Sequence, residues 1–339
     1  MSLPRWNAQI LRFAQNDNAW LCYTGGLMRK SSRRQFLTHS AAAMAGACLL
    51  PAWLRAAESH PTVPFPSAPR DRIAVASYPF REFIAGADHK SANPVLELKD
   101  FAAHVVEKFG VHRIEPWSAH FPSTEAKYLE QFRAAVAKAG SGTANIAVDG
   151  DDSPYAADRA ERERAIAFSK RWIDVAVAIG SPSVRTNIPE AKDAKPDATR
   201  LVESLTRVAE YGAARNVVVH LENDNPVSED PFFLVQVLEK VNTPWLHALP
   251  DFGNTLSAHD DDYAYRAIAV MFAHAYGICH VKDGEVSEQG KATHVDLPRT
   301  FGILKAHAYK GYCSIEYDAS GDAYRGTEEL VKKTAELLG

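Results

Sequence analysis

Cysteine is scarce: four residues in 339, at positions 22, 48, 279 and 313. So few cannot staple a disulfide scaffold. Strongly apolar runs are also missing. The mostly apolar stretch 41–54 is Ala-rich. It falls short of the ~20 strongly apolar residues that a membrane span needs, so no stable membrane insertion is expected. No Gly-x-Gly-x-x-Gly follows the first candidate strand, which argues against a dinucleotide-binding sheet. No dedicated phosphate-binding glycine loop is present either, and that absence leans toward an unphosphorylated ligand. Positive charge is short in most of the chain. Residues 58–339 hold 31 Lys/Arg against 41 Asp/Glu, a net −10. Such a body has little affinity for nucleic acid. The whole-chain charge of −4 hides this, because residues 1–57 carry seven Lys/Arg and one Asp, a net +6.

The basic head has the order of a secretory signal: a charged segment, the apolar run 41–54, then small residues. Arg33-Arg34 followed by Phe36-Leu37 resembles a twin-arginine export signal, an address read by a receptor rather than an anchor. That resemblance implies export, periplasmic localisation and the twin-arginine machinery as a partner. A basic amphipathic N-terminus without such a role is the plain alternative, and Ala-Gly-Ala-Cys48 admits a lipoprotein reading. Met28-Arg29-Lys30 is a natural beginning for the signal, so Met28 is the expected translation start. Residues 1–57 are therefore set apart as extension and signal, 58–70 as a Pro- and Ser-rich linker, and 71–339 as a single domain.

From residue 71 short β-branched runs alternate with helical stretches. Strands are expected at 73–78, 112–117, 143–148, 183–186, 217–222, 245–251, 277–282 and 312–317. Helices are expected at 98–109, 125–139, 159–179, 197–215, 231–241, 260–273, 298–307 and 327–338. Gly110, Gly140, Gly180 and Gly311 each precede a strand, where a left-handed C-cap suits glycine. Eight βα units over this length predict an α/β fold, a (β/α)8 TIM barrel, with an open doubly wound sheet as the alternative. Barrel active sites lie at the C-terminal ends of the strands. Four consecutive strands end there in polar residues: His220-Leu221-Glu222-Asn223, Asp251-Phe252-Gly253-Asn254, His280-Val281-Lys282-Asp283 and Glu316-Tyr317-Asp318. Acidic residues after strands often serve as helix caps. Three carboxylates in apolar surroundings with one imidazole argue for a cation instead, because an unpaired buried carboxylate is costly. An oxygen-rich set with one nitrogen suits Mn²⁺ first, with Mg²⁺, Co²⁺ or Zn²⁺ as other occupants.

With these pieces in place, residues 71–339 resemble the xylose-isomerase-like family of sugar isomerases and epimerases. The matching pieces are Leu-Glu-Asn at 221–223, Asp-Phe-Gly-Asn at 251–254, His-Val-Lys-Asp at 280–283 and Ile-Glu-Tyr at 315–317. The resemblance implies that Glu222, Asp251, His280 and Glu316 bind one divalent metal, and that Glu222 and Glu316 flank the substrate as acid/base groups. The implied reaction removes a proton beside a sugar carbonyl through an enediolate. Five further residues are candidate substrate contacts: Glu115, Arg185, His220, Asn254 and Lys282. Four of them have a bland alternative. Glu115 fits a salt bridge to Arg113 or Arg185, and Arg185 a pair with Glu115 in the barrel; His220 fits a packed core; Lys282 fits an ion pair with a neighbouring carboxylate such as Asp251. His247 is expected in the core, and Cys279 and Cys313 as neighbouring buried thiols. Three other functions remain open: a dehydratase acting on inososes or keto-sugars, an endonuclease IV-like phosphodiesterase, which the acidic body disfavours, and a sugar-binding barrel without activity. The expected partner is a small sugar or polyol, and a homo-oligomer is compatible with the sequence.

Overall fold

Eight short runs of small and β-branched residues form the parallel strands of a closed barrel, each leading into a helix. The computed structural model describes residues 60–286 and 290–339, and the backbone of residues 20–24 and 27–31. Two units separate, Met1–Arg55 and Ala56–Gly339. In the first, Trp20–Thr24 and Leu27–Ser31 pair antiparallel. Arg33-Arg34, Cys48 and the apolar run expected to direct export lie outside the described residues. Among the described residues no helix is long and apolar enough to cross a membrane.

The second unit is an α/β barrel. Its strands are β1 (Ile73–Ala76), β2 (Arg113–Glu115), β3 (split into Gly142–Thr143 and Ala147–Val148), β4 (Ser183–Thr186), β5 (Val218–Glu222), β6 (Leu246–Leu249), β7 (Ile278–Val281) and β8 (Tyr312–Ile315). Two sheets, β7-β8-β1-β2-β3 and β3-β4-β5-β6, meet at both seams. Trp117 bridges Ala147 at the first seam. Asp251 bridges His280 at the second, with the His280 N–H donating to the Pro250 carbonyl at 3.0 Å. The helices are α1 (Phe101–Phe109), α2 (Ala126–Lys138), α3 (Arg159–Ile179), α4 (Ala198–Ala213), α5 (Pro231–Val241), α6 (Asp261–Phe272), α7 (Leu297–Ala306) and α8 (Ala323–Leu338).

Much of the acidic excess serves these helices. Asp158, Asp197, Asp230, Asp260, Asp296 and Asp322 each accept a first-turn N–H at the N-terminus of α3 to α8 in turn. An aspartate cap contributes about 1 kcal/mol and also complements the helix dipole. Helix α4 buries Leu201, Leu205, Val208 and Gly212, one face at helical spacing. A side chain at Gly212 would stand 2.5 Å from the Val217 carbonyl oxygen, so only glycine lets α4 approach β5.

Strand parity divides the barrel. Val75, Ile114, Val184, Leu221, Cys279, Val281, Cys313 and Ile315 belong to the layer packed with the helices. Ala74, Ala144, Ile278 and Tyr312 form a separate small cluster, and Phe65 packs against it. Phe65 meets Tyr276 and Tyr312 edge-on at 5.3 and 5.7 Å. The described part of the expected linker therefore packs against the barrel through Phe65.

Several boundaries differ from the sequence expectation. Strand β1 ends at Ala76, because Tyr78–Phe80 turns into a 3₁₀ helix and buries Phe80 against Phe101 and Tyr324. A short helix, Asn254–Ala258, follows β6 and was not anticipated. Gly110, Gly140 and Gly180 take positive φ as expected, but Gly311 does not. Gly311 is needed for close approach, since a Cβ there would lie 2.5 Å from the Tyr276 carbonyl oxygen. Ala308 takes the left-handed conformation after α7 instead.

Candidate metal centre and substrate pocket

Strands β5 to β8 deliver four side chains to one point. One ligand atom each from Glu222, Asp251, His280 and Glu316 lies within 4.8 Å of the others, and all four residues are buried. His280 is the hub. Its Nδ1 lies 2.7 Å from Glu222 Oε1, 3.2 Å from Glu316 Oε2 and 3.8 Å from Asp251 Oδ2. Its Nε2 faces Glu115, 3.1 Å from each carboxylate oxygen. Asn145 donates to Glu115 Oε1 at 2.7 Å, and Ser183 Oγ donates to Asn145 Oδ1 at 2.7 Å. Glu115 thus lies behind the imidazole and orients it. It is fully buried and is no part of the open pocket's wall.

Asp251 is fixed by its own turn and by β5. The Gly253 and Asn254 N–H groups donate to Asp251 Oδ1 at 2.8 Å each. Asn223 accepts the Asp251 N–H at 2.8 Å and donates to the Asp251 carbonyl at 3.1 Å. Oδ2 is left buried with no hydrogen-bond partner, 3.6 Å from Lys282 Nζ. An orphaned carboxylate oxygen beside two more carboxylates and an imidazole is the donor set a divalent ion takes. Octahedral ligands of such an ion stand about 3 to 4.2 Å apart, a spread the four groups can adopt. The residues therefore fit a single metal, and a carboxylate–histidine–metal arrangement through Glu115 would fix the His280 tautomer.

The cluster's protonation follows from burial and crowding. Burial pushes Asp251 up to about 8; Lys282 opposes this, while Glu222 and Glu316 add to it. Burial would lower His280, but Glu115, Glu316 and Glu222 together hold it well above the usual histidine range. Burial would raise Glu316, yet His280 and Lys282 hold it well below the usual carboxylate range. Glu115 is likewise held down by His280 against its own burial.

A cavity of ≈ 470 Å³ opens above the four residues. Glu222, Glu316, Arg185, Asn254 and Lys282 line it, as do Tyr78 and Trp117. Arg185 pairs with Asp149 and, through Nε, with Glu222 Oε2 at 2.8 Å. It makes no pair with Glu115. Lys282 donates to Asn254 Oδ1 at 2.8 Å and lies 3.4 Å from Glu316 Oε2, so it both holds an ion pair and faces the cavity. His220 is absent from the pocket wall. It is fully buried, accepts the Gly277 N–H at 3.2 Å, and is pushed down to about 3 by burial. Phe252 packs on Phe272 and Phe301, away from the cavity. His247 is half-buried, stacked on Tyr276 with a centroid separation of 4.9 Å. Cys279 and Cys313 are buried free thiols, with sulfurs 3.8 Å apart.

Sequence reasoning missed Asp149, Asp224, Arg81, Glu285 and Asp318, which also line the cavity. Asp149, Asp224 and Asp318 were within reach of the strand-end rule, each lying one to three residues past a strand. Arg81 follows the Tyr78–Phe80 turn, and Glu285 stands on a short strand, Gly284–Val286, that pairs antiparallel with Ala292–His294 outside the barrel, so the eight-strand pattern records neither. Glu115→Ala removes the group that orients His280. It is expected to weaken metal affinity about 10- to 100-fold, read by calorimetric titration, with Glu115→Gln milder because it keeps an acceptor.

A family model described as "Xylose isomerase-like TIM barrel" matches residues 103–338. Among solved structures, a xylose isomerase-like TIM barrel protein from Mycobacterium smegmatis in complex with magnesium is similar at 16% identity. It has a TM-score of 0.60 and covers 84% of this chain and 99% of that one. A D-allulose 3-epimerase from Methylomonas sp. in complex with D-allulose is similar at 13% identity and TM-score 0.62, covering 82% of this chain and 99% of that one. A 3-keto-D-glucoside 4-epimerase from E. coli is similar at 14% identity and TM-score 0.58, covering 78% of this chain and 98% of that one. At these identities the structures share the fold. No curated protein matches the chain.

Proposed function

The chain belongs to the xylose isomerase-like TIM barrel family, and from that footing we propose that it is a divalent-metal-dependent sugar isomerase or epimerase. The observation that carries this reading is the convergence of Glu222, Asp251, His280 and Glu316 beneath an open polar cavity, with Asp251 Oδ2 left orphaned. Bound at that point, a divalent ion supplies positive charge beside the oxygens of an enediolate.

The protein's own groups do the rest. Glu222 and Glu316 come from strands three apart in the barrel and both face the cavity. One takes the proton from the carbon beside the carbonyl, and the other returns it. Arg185 holds Glu222 Oε2 and leaves Oε1 toward His280 and Asn254, so this carboxylate enters the reaction already oriented. Lys282, held by Asn254, presents an ammonium to a substrate hydroxyl or to charge developing on oxygen. Tyr78 and Trp117, 5.2 Å apart edge-on, give the opposite wall an apolar surface for a sugar ring.

Metal-loaded protein incubated in D₂O with a panel of ketoses, aldoses and keto-sugars is expected to wash deuterium into one carbon of the true substrate. The position of the label, and whether water is lost, distinguishes epimerisation and isomerisation from dehydration. No exchange with any panel member would count against this reading.

A further inference from the structure

We infer that the site is built to take an uncharged, hydroxyl-rich ligand and to turn away phosphorylated or carboxylated sugars. This rests on the proposed sugar reading and narrows it. The cavity wall presents six carboxylates and three cations. Each cation already has an acidic partner. Arg81 pairs with Asp318 at 2.7 Å. Arg185 is held between Asp149 and Glu222. Lys282 sits 3.4 to 3.6 Å from Glu316, Asp251 and Glu285. No cation of the wall is left over among the described residues to receive an anion.

Acceptors, by contrast, are in surplus. Asp224 lines the cavity with no ion-pair partner among the described residues. Glu285 Oε2 is buried and accepts no hydrogen bond. Carboxylates only accept, whereas sugar hydroxyls donate as well as accept; a phosphate or carboxylate group brings more acceptors and more negative charge. One divalent ion at the metal centre would lessen the negative excess without reversing it. Like charges facing each other in a partly desolvated cleft disfavour the wrong ligand, and salt screens that effect.

The test is calorimetric binding to metal-loaded protein at low and at high salt. The probes are D-fructose, D-fructose 1-phosphate and D-fructose 6-phosphate. Both esters are expected to bind about tenfold or more weakly than the free ketose at low salt, and the gap is expected to narrow at high salt. Asp318→Asn releases Arg81 and is expected to narrow the gap between ester and free ketose about fivefold. An ester that binds as tightly as the ketose, or more tightly, overturns this inference and leaves the sugar site standing. Binding of none of the three overturns the sugar reading and the inference together.

Discussion

Glu222→Gln and Glu316→Gln are each expected to slow substrate proton exchange by about 10³-fold or more, the scale of losing a positioned acid/base group. The amide keeps the shape of the carboxylate but cannot take the proton, and it is a poorer ligand for a hard cation. Both variants should fold. Without the Glu222 charge, Arg185 still has Asp149. Without the Glu316 charge, Lys282 keeps Asp251, Glu285 and Asn254. Metal content must be measured beside activity, because each substitution removes a ligand as well as an acid/base group. A variant with full metal occupancy that exchanges protons at the parent rate would end the two-glutamate mechanism. The double variant should lose little more than the worse single one, since the two residues act on one proton path.

Removing the metal is expected to abolish activity and to lower thermal stability, both restored by adding Mn²⁺ or Mg²⁺. A ligand present at 100 times its Kd stabilises by about 2.7 kcal/mol, which for a chain of this size shifts Tm by on the order of 4–5 °C. The same titration has a pH signature. In the metal-free cluster Asp251, raised by burial to about 8, and His280, held high by three carboxylates, both retain protons at neutral pH. Coordination requires both groups deprotonated, so the ion enters as protons leave. Affinity should therefore rise with pH toward about 8 and fall as the medium is acidified, with about one to two protons released at neutral pH. Titration in two buffers of different ionisation enthalpy counts those protons. An affinity that stays flat between pH 6 and 8 would contradict Asp251 and His280 as ligands.

The convergence of the four candidate ligands was legible because barrel topology and strand alternation are local rules. Glu222, Asp251, His280 and Glu316 each lie at or within two residues of a strand's C-terminal end, and consecutive parallel strands bring those ends together. Cys279 and Cys313, expected as neighbouring buried thiols, lie in the layer between strands and helices. Glu115 and His220 were harder. Both stand on strand positions that face the barrel axis, and the sequence does not record depth along that axis. Glu115 sits beneath His280 and His220 is buried away from the pocket wall, whereas Arg185 and Lys282 reach the cavity.

By itself the sequence determined the acidic body, the eight βα units and the four polar strand ends that converge. These follow from composition, from period and from the closure of a parallel sheet. Only the tertiary structure decided which charges neutralise which. Arg81 meets Asp318 across more than 200 residues, Arg185 chooses Asp149 and Glu222 over Glu115, and Asp251 keeps one oxygen unsatisfied. Pairing of buried charges depends on separations of a few ångströms and on what water is excluded. Neither is written in the order of residues until the barrel closes.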